Sequence, residues 1–355
     1  MMTGIRVFPI IRAAHVAEID RYAPRETLFF STNYDLDGVD IPAHWRRVTT
    51  FGALIAVWRA RADTLELFEP VWPGFRLRWI LLALAQKLHR GGGPHIVGFF
   101  AIENASRDGL FLGRRKVVRR VRQVGFALLS AAVGRLTDRV AYGTAMSQEL
   151  YRGLIGARQV ASIVTLDLLA RRVGEAPAKV PLRAAFVGQL HRRKGLEPLM
   201  EAWEQVETAV PGARLTVVGD GPLRSTVAAW ASKRPASRLF RGALPHAEVF
   251  DVLSVSAVLV APSLRHGHWR EQVGRPMQEA MAVGTTVITT DETGIASWLE
   301  AHGHVVVPLP LTSGSLAEAV VTALENPLSP EGVLASLPER DGRLVADEWL
   351  HHVPA

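Results

Sequence analysis

The second half of the chain alternates short apolar runs with segments of helical periodicity. Each run ends at glycine or at polar residues, and the runs lie in Arg183–Gly188, Arg214–Gly219, Arg238–Gly242, Ala257–Ser263 and Gly284–Thr290. Alternation of this kind predicts a parallel sheet with helices on both faces. Ligands of such sheets bind at the carboxyl ends of the strands, which is where the glycine-rich and polar elements of this chain fall.

The first half shows the same pattern more weakly. Its apolar runs predict strands near Thr27–Ser31, Leu65–Phe68, His95–Ile102 and Arg139–Tyr142. Helical segments separate these runs, so we expect a second doubly wound sheet. The fold class expected for the chain is therefore α/β.

A chain of 355 residues is longer than one typical domain core, which favours two domains. The stretch Arg171–Pro181 has no periodicity and carries proline and glycine, so it predicts the boundary. We predict an N-terminal domain at 1–172 and a C-terminal domain at 173–335. The remaining segment, 336–355, is expected to pack back on the N-terminal domain.

Composition and charge narrow the class of protein. The chain is 48% hydrophobic and has no cysteine, so neither disulfides nor thiolate metal sites are available. Residues 1–175 carry 25 Lys and Arg against 15 Asp and Glu, whereas the remainder carries 16 against 19. The N-terminus lacks signal-peptide character, and the longest apolar run, Trp79–Ala85, is far shorter than the ~18–20 residues of a membrane span. We therefore expect a cytoplasmic protein that is either soluble or peripheral at the inner face of the membrane.

The most informative segment, Trp269–Ala282, contains two glutamates eight positions apart. Glu271 lies in a Gly/Pro-punctuated loop, and Glu279 lies one turn inside a helix predicted to begin near Pro276. Free amides at a helix start can bind a diphosphate, while the two carboxylates can accept hydrogen bonds from a ribose diol and a sugar hydroxyl. The alternative is that Glu279 is a solvated residue favoured by the helix dipole.

The order of motifs resembles the C-terminal domain of the retaining family-four glycosyltransferases. The matching pieces are V-G-x-L-x-x-x-K-G, V-V-G-D-G-P-L, E-x7-E and T-V-I-T-T, spread over residues 183–325. The resemblance implies the GT-B fold, in which two doubly wound Rossmann-like domains face a central cleft. The W-R-E-Q-x-G variant is also similar to the branch that contains antibiotic-tailoring transferases of orthosomycin type.

The resemblance implies a hexosyltransferase-like enzyme that transfers a sugar from a nucleoside-diphosphate sugar and retains the anomeric configuration. The acceptor would be a glycan, a lipid-linked molecule or a natural product. Two other readings remain open: an epimerase or phosphorylase on the same scaffold, and a non-catalytic protein that binds membrane surfaces.

Carried over position by position, the resemblance makes Glu271 and Glu279 the catalytic pair. The positions implied to bind the donor are Gly188, Gln189, Arg193, Lys194, Gly219, Asp220, Val273, Gly274 and Arg275. Gln189 departs from the family pattern, which has arginine there; Arg192, Arg193 or Arg275 are candidates to compensate. Val273 stands where an aromatic residue is usual, which affects packing more than chemistry.

Glu103 and Asn104 end a predicted strand of the first domain, so they are the acceptor-side candidates; the alternative is a helix cap or a loop hydrogen bond. Two basic segments, Arg76–Arg90 and Arg114–Arg122, suggest a surface for anionic lipids, although a solvated helix flank explains them as well. Nucleic acid is a weaker explanation, because no nucleic-acid-binding module accompanies the charge.

A metal site is not expected. His266 and His268 lie near Glu271, but their spacing is not a zinc pattern. The resemblance likewise implies that protein groups hold the diphosphate, so we expect no cofactor beyond the nucleotide-sugar co-substrate.

Overall fold

The computed structural model describes most of the chain. The residues it describes are 4–12, 15–16, 25–33, 36, 39–72, 74–90, 93–103, 116–155, 160–171, 174, 176–267 and 269–353. For residues 116–123 it describes the backbone only. They form two compact units. Unit 1 combines Met1–Asp167 with Gly342–Ala355, and unit 2 is Leu168–Asp341.

Unit 1 is built on a seven-stranded sheet whose neighbouring strands all run parallel. Its strands are β1 (Gly4–Ile11), β2 (Glu26–Thr32), β3 (Trp45–Arg47), β4 (Thr64–Leu67), β5 (Ile96–Ala101), β6 (Arg139–Tyr142) and β7 (Ala161–Val164). Their spatial order is β3-β2-β1-β4-β5-β6-β7. Its helices are α1 (Thr50–Ala60), α2 (Arg76–Leu88), α3 (Lys116–Leu136), α4 (Ala145–Leu154) and, from the later segment, α12 (Gly342–His351).

Helices cover both faces of this sheet. In β5, the Phe99 ring meets Trp79 of α2 edge-on, with centroids 6.2 Å apart. The adjacent residue, Gly98, faces the other way, because a side chain there would press on Leu350 of α12. Successive residues of a strand point to opposite faces, so α2 and α12 lie on opposite sides of the sheet.

Unit 2 repeats the architecture with six parallel strands. Its strands are β8 (Val180–Val187), β9 (Arg214–Val218), β10 (Arg238–Gly242), β11 (Ser256–Ala261), β12 (Thr286–Thr290) and β13 (Val305–Val307), in the order β10-β9-β8-β11-β12-β13. Its helices are α5 (Leu196–Ala209), α6 (Arg224–Ser232), α7 (His246–Val255), α8 (Arg275–Met281), α9 (Ala296–Ala301), α10 (Ser313–Glu325) and α11 (Pro330–Ser336).

The predicted fold class is confirmed: the chain is α/β, with two Rossmann-like units. In unit 2 the strands extend from β8 first to one side, through β9 and β10, and then to the other, through β11. The loops after β8 and β11 therefore diverge at a topological switch point, the place where open α/β sheets bind ligands. Among the described residues, no helix combines the length and hydropathy needed to cross a bilayer.

Candidate functional site

The loops that follow β8 and β11 meet at the switch point of unit 2. A short 3-10 turn, Arg192–Lys194, ends at Gly195 in the left-handed conformation, φ 70°. A side chain at Gly195 would collide with the backbone carbonyl of Pro262, and the amide of Leu264 donates to the carbonyl of Arg193 at 2.8 Å. This close approach requires glycine and fixes the basic turn against the loop that leads to Glu271.

Lys194 and Glu271, predicted from motifs far apart in the chain, are in direct contact. The Lys194 ammonium pairs with Glu271 Oε2, and the Ser263 hydroxyl donates to the same oxygen at 2.7 Å. The two side chains are 17% and 11% exposed, so this pair lies at the edge of the solvent rather than in the core. Ser263 was not predicted as a site residue, although it ends the β11 motif.

Arg193 is held beside this pair by two contacts. Its guanidinium lies over the Trp269 ring, 4.0 Å from the centroid, and its Nη2 donates to Gln189 Oε1 at 2.7 Å. Gln189, which occupies the position of the family's arginine, therefore accepts a hydrogen bond from the nearby Arg193. By contrast, Arg192 is mostly exposed and forms a solvent-side ion pair with Glu197 at 3.1 Å.

Glu279 lies in α8 and is buried, which contradicts the alternative of a solvated surface residue. Its Oε1 accepts hydrogen bonds from Arg275 Nε at 2.9 Å and from His246 Nε2 at 2.8 Å. The two cationic-type side chains are 38% and 60% exposed, whereas the carboxylate is 6% exposed. His246, at the start of α7, was missed because no local motif marks it.

The predicted diphosphate segment Val273–Arg275 precedes and opens α8. Gly274 is the N-cap residue with φ 79°, Pro276 lies in the first turn, and the Val273 side chain is buried. On the β9 side, Gly219 has φ 142°, and a side chain there would collide with the carbonyl of Gly188. Gly188 and Gly219 therefore allow the loops after β8 and β9 to lie in close contact.

Asp220 lies at this end of the sheet but is more than half exposed. One oxygen caps the amide of Gly221 at 2.7 Å, and the other pairs with Arg224 at 3.1 Å. A partly buried pair that the sequence analysis did not predict, Arg270 with Glu292, links the β11 and β12 loops. Thr290 adds a second link by donating to the carbonyl of Ser263.

Of the two acceptor-side candidates, Glu103 is described and Asn104 lies outside the described residues. The amides of Ile102 and Glu103 donate to the carboxyl group of Glu69, at 2.8 Å and 3.1 Å, and Tyr151 donates its hydroxyl at 2.7 Å. Burial, helped by the charge of Glu103, raises the pKa of Glu69 to about 7. Glu69 also lines a pocket of unit 1 together with Phe8, His15, Phe100, Asp167 and Arg343.

A second charged group in unit 1 is fully buried. Arg6 pairs with Glu66 at 2.9 Å and with Asp347 of α12, while His351 Nε2 lies 3.2 Å from Glu66. Burial opposes ionisation of Glu66, but the hydrogen bond from His351 and the charges of Arg6 and Arg343 outweigh it and hold its pKa below the usual range.

Glu66, Asp347 and His351 bring potential metal ligands within 4.8 Å of one another. Arg6 already supplies positive charge to both carboxylates, however, so the set does not favour an added cation. The histidine pair predicted not to bind metal is only partly visible, because His268 lies outside the described residues.

Comparisons with known proteins find relatives both in sequence and in fold. Residues 181–326 match the family described as "Glycosyl transferases group 1". A 2-deoxystreptamine glucosyltransferase of Streptomyces kanamyceticus is 31% identical over 240 residues, covering 63% of this chain and 58% of that protein. A 2-deoxystreptamine N-acetyl-D-glucosaminyltransferase of Streptomyces fradiae is 31% identical over 180 residues, covering 49% and 36%. The matches therefore span only part of these relatives.

Among solved structures, Anabaena Alr3699/HepE in complex with UDP has the same fold. It superimposes with a TM-score of 0.66 at 14% identity, over 98% of this chain and 95% of that one. WaaG, a glycosyltransferase involved in lipopolysaccharide biosynthesis, gives a TM-score of 0.60 at 15% identity. Residues 181–326 thus match the group 1 glycosyltransferase family, and the superpositions show that the chain as a whole has the GT-B fold.

Proposed function

We propose that the protein transfers a sugar from a nucleoside-diphosphate sugar to an acceptor hydroxyl with retention of anomeric configuration. The observation that carries this proposal is the contact of Lys194 with Glu271 at the switch point of unit 2, in the same unit as the buried Glu279. The cation and the two carboxylates come from segments that are far apart in the sequence. The cation can bind an anionic diphosphate, and the carboxylates can accept hydrogen bonds from two sets of hydroxyl groups.

In this proposal Lys194 binds the diphosphate as a point charge, and its ammonium exchanges a carboxylate oxygen for a phosphate oxygen. Arg193, held by Gln189 and Trp269, replaces the arginine that the family has at position 189. The amides of the Val273–Arg275 segment, together with Gly188, Gly219 and Asp220, line the donor loops. Arg275 is placed to contact phosphate because its side chain is more than one-third exposed.

The two carboxylates would take different hydroxyl groups. Glu279 accepts the ribose diol, because Arg275 and His246 both bind its Oε1 and so orient the carboxylate. Glu271 accepts a hydroxyl of the transferred sugar. Its anchors, Lys194 and Ser263, both bind Oε2, which sets the direction of the carboxylate.

Retention follows from a substitution on one face of the sugar. The bond between the anomeric carbon and the diphosphate oxygen breaks, the acceptor oxygen bonds to the same carbon, and the acceptor proton passes to the leaving phosphate. In this step no side chain need act as a nucleophile. Glu271 and Glu279 are then catalytic through the substrate groups they hold.

The acceptor side is proposed for unit 1, at the pocket beside Glu69. Glu103 and Asn104 follow β5, and Glu69 fixes the backbone of Ile102 and Glu103. The two Streptomyces relatives are described as acting on 2-deoxystreptamine. A polyhydroxylated, amine-bearing natural product is therefore the first acceptor class to test, ahead of glycans and lipid-linked sugars.

Calorimetry with UDP, GDP, TDP, ADP and their sugars tests the donor site. The solved neighbour described with UDP makes UDP the first choice. Lys194→Ala and Glu279→Ala should each weaken binding of the preferred nucleotide at least tenfold, because each removes a charge-assisted contact worth about 1.5–3 kcal/mol. Arg192→Ala, the exposed neighbour of the same turn, is the matched control and should change affinity less than threefold.

Analysis of the product by NMR would separate the remaining readings. An α-linked donor that yields an α-linked glycoside supports the proposal, and a β-linked product contradicts retention. A changed free sugar nucleotide would indicate an epimerase, and release of sugar phosphate a phosphorylase. Folded protein that binds none of the nucleotides would favour the non-catalytic binding protein.

A further inference from the structure

Helix α2 is apolar on two opposite sides. Trp79, Leu82 and Ala83 point into the core of unit 1 and are buried. A second stripe of leucines, spaced at intervals of three and four residues, faces the solvent: Leu77, Leu81, Leu84 and Leu88, which are 63%, 39%, 37% and 64% exposed. A surface helix of a soluble domain normally presents polar residues there, so this leucine stripe is an uncovered apolar surface.

The neighbouring helices continue this surface. In α1, Phe51 and Trp58 are exposed on the side of the helix opposite to the buried Ala53 and Val57. In α3, Val124 and Leu128 lie one turn apart and are both more than 60% exposed. The helices pack side by side, α1 on α2 and α2 on α3. We call these eight exposed residues of α1, α2 and α3 the outer helix face.

The charged residues within the three helices of the outer helix face have one sign. None of the three helices contains aspartate or glutamate. Exposed arginines lie on or directly after them: Arg59, Arg61, Arg78, Arg90 and Arg135. Apolar side chains flanked by arginine, with a tryptophan among them, are the composition of helices that lie in the headgroup region of a bilayer.

We infer that unit 1 docks on an anionic lipid bilayer through the outer helix face, with the leucine stripe of α2 inserted among the lipids. This goes beyond charge attraction by the basic segments, because the apolar stripe supplies binding that salt does not screen. A second copy of the chain is a poorer occupant, since it would bring two acid-free, arginine-rich faces together. The inference concerns unit 1 alone and does not depend on nucleotide binding by unit 2.

The test is co-sedimentation with phosphatidylglycerol/phosphatidylcholine vesicles and with phosphatidylcholine vesicles. The wild-type protein should bind the anionic vesicles, and part of that binding should persist at 0.5 M salt. Leu81→Glu combined with Leu84→Glu should lower the partition coefficient at least tenfold. The matched control is Leu239→Glu, which places the same change at an exposed leucine of unit 2 and should bind like wild type.

Thermal unfolding and nucleotide binding of each variant show whether both units remain folded. Should the double variant unfold, Leu77→Gln with Leu88→Gln, at the two most exposed positions of the stripe, gives the same comparison. Wild-type protein that fails to bind anionic vesicles would overturn the inference. So would leucine variants that bind like the control, or a dimer in solution that the leucine variants dissociate without any vesicle binding.

Discussion

Each unit contains a group of interacting charges, and the two groups differ in their access to water. In unit 1, Arg6, Glu66, Asp347 and His351 are all buried, and they bind one another. In unit 2 the carboxylate of Glu279 is buried, but its partner His246 is 60% exposed. Burying charges costs free energy that only close pairing offsets, so the charges of the first group are paired with one another. The second group remains open to a ligand that brings its own charge.

The comparison separates a structural role from a binding role. The unit 1 group joins β1 and β4 to α12, residues that are far apart in the chain. In unit 2, by contrast, the Lys194–Glu271 pair joins two loops at the switch point of one sheet. Removing a charge from the first should therefore cost stability, whereas removing one from the second should cost affinity.

The largest expected effect is that of Glu66→Ala. It leaves Arg6 buried with part of its charge unpaired, so unit 1 should lose about 3–5 kcal/mol of stability. Glu271→Gln should cost about 1 kcal/mol, because the Lys194 ammonium can turn to the solvent. Urea unfolding, with hydrogen exchange to assign the loss to a unit, checks both values. Equal losses in the two variants would remove the distinction between the groups.

A second prediction concerns the donor loops of unit 2. Gly219→Ala should destabilise unit 2 by about 2–3 kcal/mol, because its side chain would collide with the Gly188 carbonyl at an unfavourable φ. Gly267→Ala is the matched control: Gly267 also has positive φ, 62°, but nothing lies near its missing side chain. It should cost no more than about 1–2 kcal/mol. Similar losses would show that backbone conformation, not loop contact, matters at Gly219.

One buried group in each unit, Glu69 in unit 1 and His304 in unit 2, should contribute to the pH dependence of stability with opposite sign. Glu69 in unit 1 has its pKa raised from 4.5 to about 7, so the folded state binds more protons than the unfolded state between these values. Its contribution to stability is present below pH 4.5 and is lost as the pH rises to 7. In unit 2, burial lowers the pKa of His304 from 6.5 to about 4. Its contribution is present above pH 6.5 and is lost as the pH falls to 4.

Variants isolate these two contributions from the other titrating groups. Relative to wild type, Glu69→Gln should remove a fall in the stability of unit 1 between pH 4.5 and 7. His304→Asn, which keeps an acceptor for the amide of Val287, should remove a fall in unit 2 at acid pH. Urea unfolding at half-unit pH steps measures both differences. A Glu69→Gln curve parallel to that of wild type would mean that Glu69 is ionised in both states.

The smallest effect is expected for an ion pair whose charges are mostly exposed to solvent. Arg224→Ala breaks the Asp220–Arg224 pair, whose side chains are more than half exposed. Exposed pairs of this kind contribute about 0–1 kcal/mol, so thermal unfolding should change by less than about 0.5 kcal/mol. A larger loss would show that Asp220 holds the β9 loop through this contact.

Much of unit 2 could be predicted from sequence because its motifs are local. A strand, a glycine turn and a helix start follow one another at Gly188, Gly219 and Gly274, and their order fixes which loops meet. The contact of Lys194 with Glu271, 77 positions apart, follows from that topology rather than from either motif alone. The match of residues 181–326 to the family covers this same part of the chain.

What could not be predicted depends on packing between distant segments. His246 meets Glu279 because α7 lies beside α8, and no pattern around His246 indicates it. The pair of Arg6 with Asp347 joins residues 341 positions apart. Likewise, the sequence shows only that Gln189 replaces the family's arginine, whereas the structure shows that Gln189 binds Arg193. Side-chain partners of this kind are specified by three-dimensional proximity, which periodicity does not encode.

The composition of unit 1 from two chain segments has a consequence for the order in which the protein forms. Unit 2 is continuous and can complete its core as soon as its own residues leave the ribosome. Unit 1 cannot, because Asp347, the partner of Arg6 in β1, is synthesised only after every residue of unit 2. Until then the N-terminal sheet carries a buried-type arginine without its full set of carboxylates and an uncovered strand face. Unit 1 is therefore begun before unit 2 but completed after it, and a chain that stops before α12 would lack the partner of Arg6.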